Sequence, residues 1–191
     1  MKTKLLLFAS ATLALTACGQ KSDNAATTDV SINDNAVAAN DANSEASEAA
    51  PLTAQTFANA AAASDKFEIE SSRLAADAAT SAAVKKFATQ MISAHTQSTA
   101  KLKTTLSGMS PAMTPDDTLA PDQQSKLDSL KSLKGADFDS AYSAAQVEAH
   151  QKTLAALNGY AASGDNPKLK EFASGLVPTV TAHLNMAKGL K

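Results

Sequence analysis

The stretch from residue 52 to residue 107 constrains the fold most, because it contains no glycine and its apolar residues recur with the period of an α-helix. The positions that share one face of a first long helix are Phe57, Ala61, Ser64, Phe67, Ser71 and Leu74. A second helix is marked by Val84, Phe87, Met91, His95, Leu102 and Leu106, and Gly108 ends it. Ser81, just before the second helix, is predicted to be its N-cap. The pattern predicts an all-α protein.

The remainder of the chain adds one short and two long helices. Prolines break the pattern after residue 108, and Pro121 is placed to open a short helix that ends at Gly135. A third long helix is predicted from about Asp137 to Gly164. The fourth begins at Pro167 after an Asn166 N-cap, and Pro178 inside it predicts a kink.

Four long helices, two tight turns and one long middle connection are typical of a bundle built from two hairpins. We therefore predict a ferritin-like four-helix bundle over residues 52–191, with a long middle crossover that contains the short helix.

The amino terminus indicates export. Lys2 and Lys4 precede an apolar run from residue 5 to residue 15, which is typical of a secretory signal and too short to span a bilayer. The sequence LTAC at 15–18 resembles a bacterial lipobox, which implies cleavage after residue 17 and lipidation of Cys18, the one cysteine of the chain. The alternative is an ordinary signal peptide, residues 1–17, followed by a chance cysteine. Because Gly19 follows the cysteine, resemblance to enteric sorting favours a lipid-anchored outer-membrane protein that faces the periplasm.

Residues 18–51 differ from the rest in composition. They are polar and acidic, with Lys21 as the one basic residue, so we predict a lipidated cysteine followed by a disordered tether. The whole chain has a net charge of −2, and loss of Lys2 and Lys4 with the signal makes it −4. No basic surface is expected, which argues against nucleic acid as a partner. The expected partners are the membrane, through Cys18, and another envelope protein.

The three histidines each fall on the apolar face of a different helix: His95 on the second, His150 on the third and His183 on the fourth. The first helix has Glu70 beside its apolar face, so each long helix offers one candidate ligand. At about 1.5 Å per residue the four lie within about two turns of one level if the second and third helices run in the same direction, whereas a simple up-down-up-down order would spread them from about 15 to about 26 Å. This agreement favours the crossover order.

The set Glu70, His95, His150 and His183 suits one transition metal, with Zn, Cu, Fe or Mn left open. A structural Glu–His hydrogen-bond network is the alternative, and it is favoured over the metal. A di-iron centre is not supported, because no histidine has a glutamate three residues before it. Neither a serine-nucleophile motif nor a glycine-rich phosphate loop is present.

Two functions of different class follow. One is a non-enzymatic envelope protein that contacts other envelope components or helps in stress tolerance. The other is a metal-binding or metal-dependent protein that uses the Glu/His cluster. The first is favoured, because the one group of residues suited to chemistry is the internal Glu/His cluster, which has no evident route for a substrate. No catalytic residue is assigned.

The chain also resembles a family of exported bacterial proteins, domain of unknown function 4142, often described as outer-membrane proteins. The resemblance rests on FEIE at 67–70, VKKFA at 84–88, HT at 95–96, GADFD at 135–139, HQKT at 150–153 and HL at 183–184. It implies a ferritin-like bundle and no particular activity. The family commonly has Asp before the second- and third-helix histidines, where this chain has Ala94 and Ala149. The resemblance thus implies that a carboxylate able to orient the histidines is missing.

Overall fold

The computed structural model describes residues 53–190, all of whose regular elements are helices. In chain order these are α1 (Ala54–Ala78), α2 (Ala82–Ser107), α3 (Pro121–Lys131), α4 (Gly135–Ser163) and α5 (Pro167–Lys188). The predicted all-α bundle is confirmed. The predicted signal peptide, the lipidated Cys18 and the tether over 18–51 lie outside the described residues.

Local chemistry sets the helix ends where the sequence predicted them. The Ser81 hydroxyl accepts a hydrogen bond from the backbone N–H of Val84 at 3.4 Å and caps α2. The Asn166 side chain accepts from the N–H of Leu169 at 3.2 Å, with Pro167 in the first turn of α5.

The boundaries around the short helix differ from the prediction. The helix α3 ends at Lys131 rather than at Gly135, and α4 begins at Gly135 rather than at Asp137. Gly135 has a φ of +67°, a conformation that glycine adopts without strain, and it allows the chain to reverse between α3 and α4.

Contacts at the two ends of the bundle fix the direction of its helices. At one end, Asp139 near the start of α4 accepts hydrogen bonds from Thr80 and Ser81, which precede α2. At the other end, Lys168 at the start of α5 donates to the carbonyl of Gly108, just after α2, at 2.6 Å. Helices α2 and α4 therefore run in the same direction. The connection over 108–134 runs the length of the bundle, as the predicted crossover requires.

The buried apolar residues form two clusters separated by a polar layer. Phe67, Met91 and Tyr142 belong to the cluster at the α1–α2 turn, whereas Phe57 and Tyr160 belong to the other, stacked with ring centroids 4.1 Å apart. The polar layer consists of buried polar residues near the place where the two clusters meet, namely Asp65, Glu68, His95, Gln146, His150 and His183. None of the described helices is both long and apolar enough to cross a membrane.

Asp139 joins α4 to the α1–α2 turn, and its removal is expected to destabilise the bundle. Its carboxylate accepts from the N–H groups of Thr80 and Ser81 and from the Thr80 hydroxyl, at 2.7–3.2 Å. Asp139→Ala leaves these donors without an acceptor, so the free energy of unfolding should fall by about 1–3 kcal/mol. Urea unfolding at pH 7 measures the effect. Asp137→Ala, at an exposed acid in the first turn of α4, is the matched control.

The contribution of Asp139 should also depend on pH. Burial alone would raise the pKa of Asp139, but the hydrogen bonds from Thr80 and Ser81 outweigh it and lower the pKa. A lowered pKa stabilises the fold above the unfolded value of about 3.9 and ceases to do so as the pH falls through the folded value. The difference between wild type and Asp139→Ala should therefore shrink below about pH 4. A difference that stayed constant from pH 7 to pH 3 would contradict this assignment.

Candidate metal centre

The three histidines meet in the interior of the bundle. Their ring centroids lie 5.5–5.8 Å apart, and each ring offers one nitrogen within 4.8 Å of a nitrogen on both other rings. Nitrogen ligands about 2.0–2.1 Å from one metal ion are separated from one another by roughly 3.3–3.6 Å. A contraction of about 1 Å in the ring positions would therefore bring all three nitrogens onto a single ion.

The apolar pattern of each helix explains why the imidazoles point inward. His95 follows the buried Met91 by one helical turn and precedes the buried Leu102 by two. His183 lies between the buried Val180 and Ala187 of α5, each one turn away. A histidine at such a position has to share the core face, and His150 on α4 is likewise buried, at 1% exposed.

A carboxylate on α1 orients His95. Asp65 is 6% exposed, and its Oδ1 accepts a hydrogen bond from Nδ1 of His95 at 2.7 Å. The Thr99 hydroxyl donates to the other carboxylate oxygen at 3.0 Å and holds Asp65 in place. This arrangement leaves Nε2 of His95 free to act as a ligand. A carboxylate that holds the far nitrogen of a ligating histidine is a recurrent feature of metal sites.

His150 is oriented by its own helix. Its Nδ1–H donates to the backbone carbonyl of Gln146 at 2.8 Å, which leaves the lone pair on Nε2. Burial lowers the pKa of His150 to about 4, and the charge on His95 contributes. Burial likewise lowers the pKa of His183 to about 4. Both rings are therefore neutral at physiological pH, which is the form that binds a metal ion.

His95 is electrostatically distinct from the other two histidines. Burial by itself would lower its pKa, but the hydrogen bond to Asp65 and the nearby charge of Glu68 raise it. In the absence of a metal, this ring is the one in the cluster that the surrounding carboxylates favour as a cation.

The buried side-chain atoms that lack a hydrogen-bond partner are concentrated at this one place. Within residues 53–190 they are Nε2 of His95, Nε2 of His150, Nδ1 of His183, Oε1 of Gln146 and both carboxylate oxygens of Glu68. Each such atom costs roughly 1–3 kcal/mol when nothing binds it. Native interiors rarely leave buried polar atoms unpaired, and a cluster of them is typical of a ligand site.

Glu68 is the second carboxylate of this interior. It lies on α1, is 1% exposed, and its Oε1 is 3.7 Å from Nδ1 of His150. Burial raises the pKa of Glu68 to about 7, although the neighbouring His95 acts in the opposite direction.

Glu70, the residue that the sequence suggested for α1, is not brought to the histidines. It is half-buried, and no hydrogen bond or ion pair among the described residues joins it to them. Two residues correspond to about 200° of rotation, so Glu68 and Glu70 point to nearly opposite sides of α1. The signal that was missed is the spacing of Asp65 and Glu68 from Ala58 and Ala62, which places both acids on the buried face.

A separate groove of about 400 Å³ lies between α1, the crossover and α4. Phe57 and Leu157 are among its apolar lining residues, and Lys126 and Lys152 pair with Glu148 on its rim. None of the three histidines lines this groove. It is therefore distinct from the candidate metal centre.

The family assignment agrees with the resemblance seen in the sequence. The family described as domain of unknown function (DUF4142) matches residues 20–190. The chain belongs to this family. Its description assigns no activity. No curated protein matches the chain.

Two solved structures share the fold of this DUF4142 protein. The structure titled "CopM in the Cu(II)-bound form" is 16% identical with a TM-score of 0.60, covering 72% of this chain and 94% of that chain. The structure titled "CopM in the Cu(I)-bound form" is 18% identical with a TM-score of 0.59, covering 71% and 92%. At this identity the likeness shows a common helical fold.

This DUF4142 protein lacks the two Asp residues of its family pattern but has another carboxylate beside one of its histidines. Ala94 and Ala149 stand where the family commonly has Asp before a histidine. The orienting carboxylate is nevertheless present, because Asp65 reaches His95 from α1. The expectation that such a carboxylate is missing was therefore wrong.

Proposed function

We propose that this protein binds one transition-metal ion inside the helical bundle through His95, His150 and His183. The observation that carries the proposal is the convergence of three buried imidazoles, each with a ring nitrogen that has no other partner. A purely structural network would pair these nitrogens with one another or with other groups. This geometry supports the metal over the structural network, which the sequence had favoured.

Copper is the metal we propose first. Imidazole nitrogen suits Cu, Zn and Fe, and among divalent first-row ions Cu²⁺ binds such ligands most tightly. The fold likeness to CopM, whose structures are titled as copper-bound, supports the same choice. Zinc is the principal competitor, and Fe and Mn follow.

We propose that the protein works at the bacterial envelope without catalysing a reaction. The histidines are 1–9% exposed, which suits the holding of an ion better than turnover of a substrate. The lipobox-like sequence before Cys18 supports attachment to a membrane, with the bundle on a tether of about 30 residues. Metal storage or buffering would make this a stress-tolerance protein, which joins the two functions considered from the sequence.

Metal titration of protein purified without an affinity tag tests the proposal. One equivalent of Cu should bind per chain, because the proposed site holds one ion. The bound ion should also raise the melting temperature, because it stabilises only the folded state. Elemental analysis after desalting, with parallel titrations of Zn, Mn and Fe, measures stoichiometry and choice of metal. Absence of stoichiometric binding for all four ions would overturn the proposal.

A further inference from the structure

The groove between α1, the crossover and α4 is separate from the histidine cluster, and metal binding makes no use of it. Its lining extends on α1 from Phe57 to Phe67 and on α4 from Ala145 to Leu157. At 1.5 Å per residue these two segments are about 15 and about 18 Å long. The volume of the groove, about 400 Å³, is within the range of small-molecule sites in proteins. The groove is therefore a candidate binding site of its own.

The shape of the groove suits a long, thin ligand. Its volume divided by its length gives a mean cross-section of about 25 Å². This is close to the cross-section of one extended hydrocarbon chain, whereas a fused ring system or a peptide is wider. The helices leave this space between them because the residues that face it are small. The alanines of its walls on α1 and α4 are Ala60, Ala61, Ala63, Ala145, Ala149 and Ala156.

The rim of the groove has charged groups of both signs. Lys152 pairs with Asp122 at 2.9 Å and with Glu148 at 3.1 Å, and Lys126 also pairs with Glu148. These four side chains are 31–60% exposed, so their ion pairs are weak and the charged groups of a ligand can replace them at little cost. Asp116 adds a third acid to the lining, and no described lysine forms an ion pair with it. The rim therefore suits a head group with both a positive and a negative charge, and its excess of acid disfavours an anion.

We propose that this groove binds a single-chain zwitterionic phospholipid of the lysophosphatidylethanolamine class. The acyl chain lies along the alanine walls, and burial of its methylene groups there and against Phe57 and Leu157 stabilises the complex. The phosphate of the head group pairs with Lys126 and Lys152, and its ammonium group pairs with the acids of the rim. A free fatty acid matches less well, because its carboxylate would lie beside three acids. The proposal is independent of the metal site, since none of the three histidines lines the groove.

Titration with lauroyl lysophosphatidylethanolamine tests the proposal. The protein is the mature chain with Cys18→Ser, produced without the signal segment, so that it has no acyl chain of its own. Isothermal titration calorimetry below the critical micelle concentration should show one equivalent bound per chain. Ala60→Leu and Ala156→Leu should each weaken binding by roughly 10-fold or more, because the leucine and the acyl chain cannot occupy the same space. Laurate, with the same chain and an anionic head, should bind at least roughly 10-fold more weakly than the phospholipid.

Ala155→Leu is the matched control for Ala156→Leu, because Ala155 is exposed on the same helix and does not line the groove. Ala76→Leu is the corresponding control on α1. Both controls should retain the affinity for the phospholipid. Lys152→Ala should weaken binding of the phospholipid but not of uncharged monolauroyl glycerol, because only the phospholipid has a phosphate for Lys152. Circular dichroism and the melting temperature without lipid verify that each variant folds.

Several results would overturn the proposal. Absence of saturable binding below the critical micelle concentration would exclude a lipid site. Equal losses of affinity in Ala156→Leu and Ala155→Leu would locate the bound lipid outside the groove. Laurate that binds as tightly as the phospholipid would exclude recognition of a zwitterionic head group. Sedimentation that shows a dimer of the lipid-free protein, lost in Ala60→Leu, would assign the groove to a second copy of the chain instead.

Discussion

His183→Ala is expected to abolish stoichiometric metal binding, and in the metal-free bundle it should cost only the packing of the imidazole. The substitution removes one of three converging nitrogen ligands, and two imidazoles rarely hold a divalent ion against competing chelators. Without metal, the substitution removes buried ring atoms but no hydrogen bond at Nδ1 of His183, which is buried without a partner. Removing a group that is already unpaired sacrifices no hydrogen bond.

The size of the effect follows from linkage. At a metal concentration 100 times the Kd, binding stabilises wild type by about 2.7 kcal/mol. For a bundle of this size that corresponds to a rise of roughly 10 °C in the melting temperature. His183→Ala should show almost none of this rise. Thermal unfolding followed by circular dichroism, with and without Cu or Zn, measures both quantities.

A structural network makes the opposite prediction. In that case the metal would leave the melting temperature of wild type unchanged, and even His183→Leu, which keeps the volume of the side chain, would destabilise the metal-free bundle by about 1–3 kcal/mol through lost hydrogen bonds. Asn185→Ala is a suitable control, because Asn185 is exposed two residues further along α5. It should retain both the metal binding and the rise in melting temperature. His183→Leu, which refills the volume, separates loss of the ligand from loss of packing.

The helices and their ends were predictable because local chemistry determines them. A helical spacing of apolar residues, a Ser81 cap and an Asn166–Pro167 start need no knowledge of distant contacts. The crossover was predictable for a different reason. Parallel α2 and α4 bring the four candidate residues of the sequence closer to one level than an up-down-up-down order does, and the contacts at both ends of the bundle show that direction.

The carboxylates of the site were harder to predict, because α1 is rich in alanine. Small apolar residues on several faces allow more than one buried stripe, and the choice of Phe67, Ser71 and Leu74 led to Glu70. Packing against α2 and α4 in fact buries the face that contains Asp65 and Glu68. Burial of two acids conflicts with the usual pattern of a core, and such conflicts are expected at functional sites.

Replacement of Cys18 by serine should move the protein from the membrane fraction to the soluble periplasmic fraction. The prediction rests on the lipobox-like LTAC and on the charged, then apolar, segment before it. Two or more acyl chains anchor a protein stably, since each buried CH₂ contributes about 0.8 kcal/mol. Serine cannot form the thioether to lipid, so this anchor is lost. Fractionation followed by immunoblotting, together with the mass of the mature amino terminus, measures the result.

A second substitution next to the cysteine distinguishes anchoring from sorting. Gly19→Asp retains the sulfur of Cys18 and should therefore keep the protein lipidated and membrane-bound. By resemblance to enteric sorting, it should also shift the protein from the outer to the inner membrane. Because neither substitution touches residues 53–190, the purified bundles should bind metal with wild-type stoichiometry. Membrane partition that is unchanged in Cys18→Ser would show that something other than a lipid on this cysteine holds the protein at the membrane.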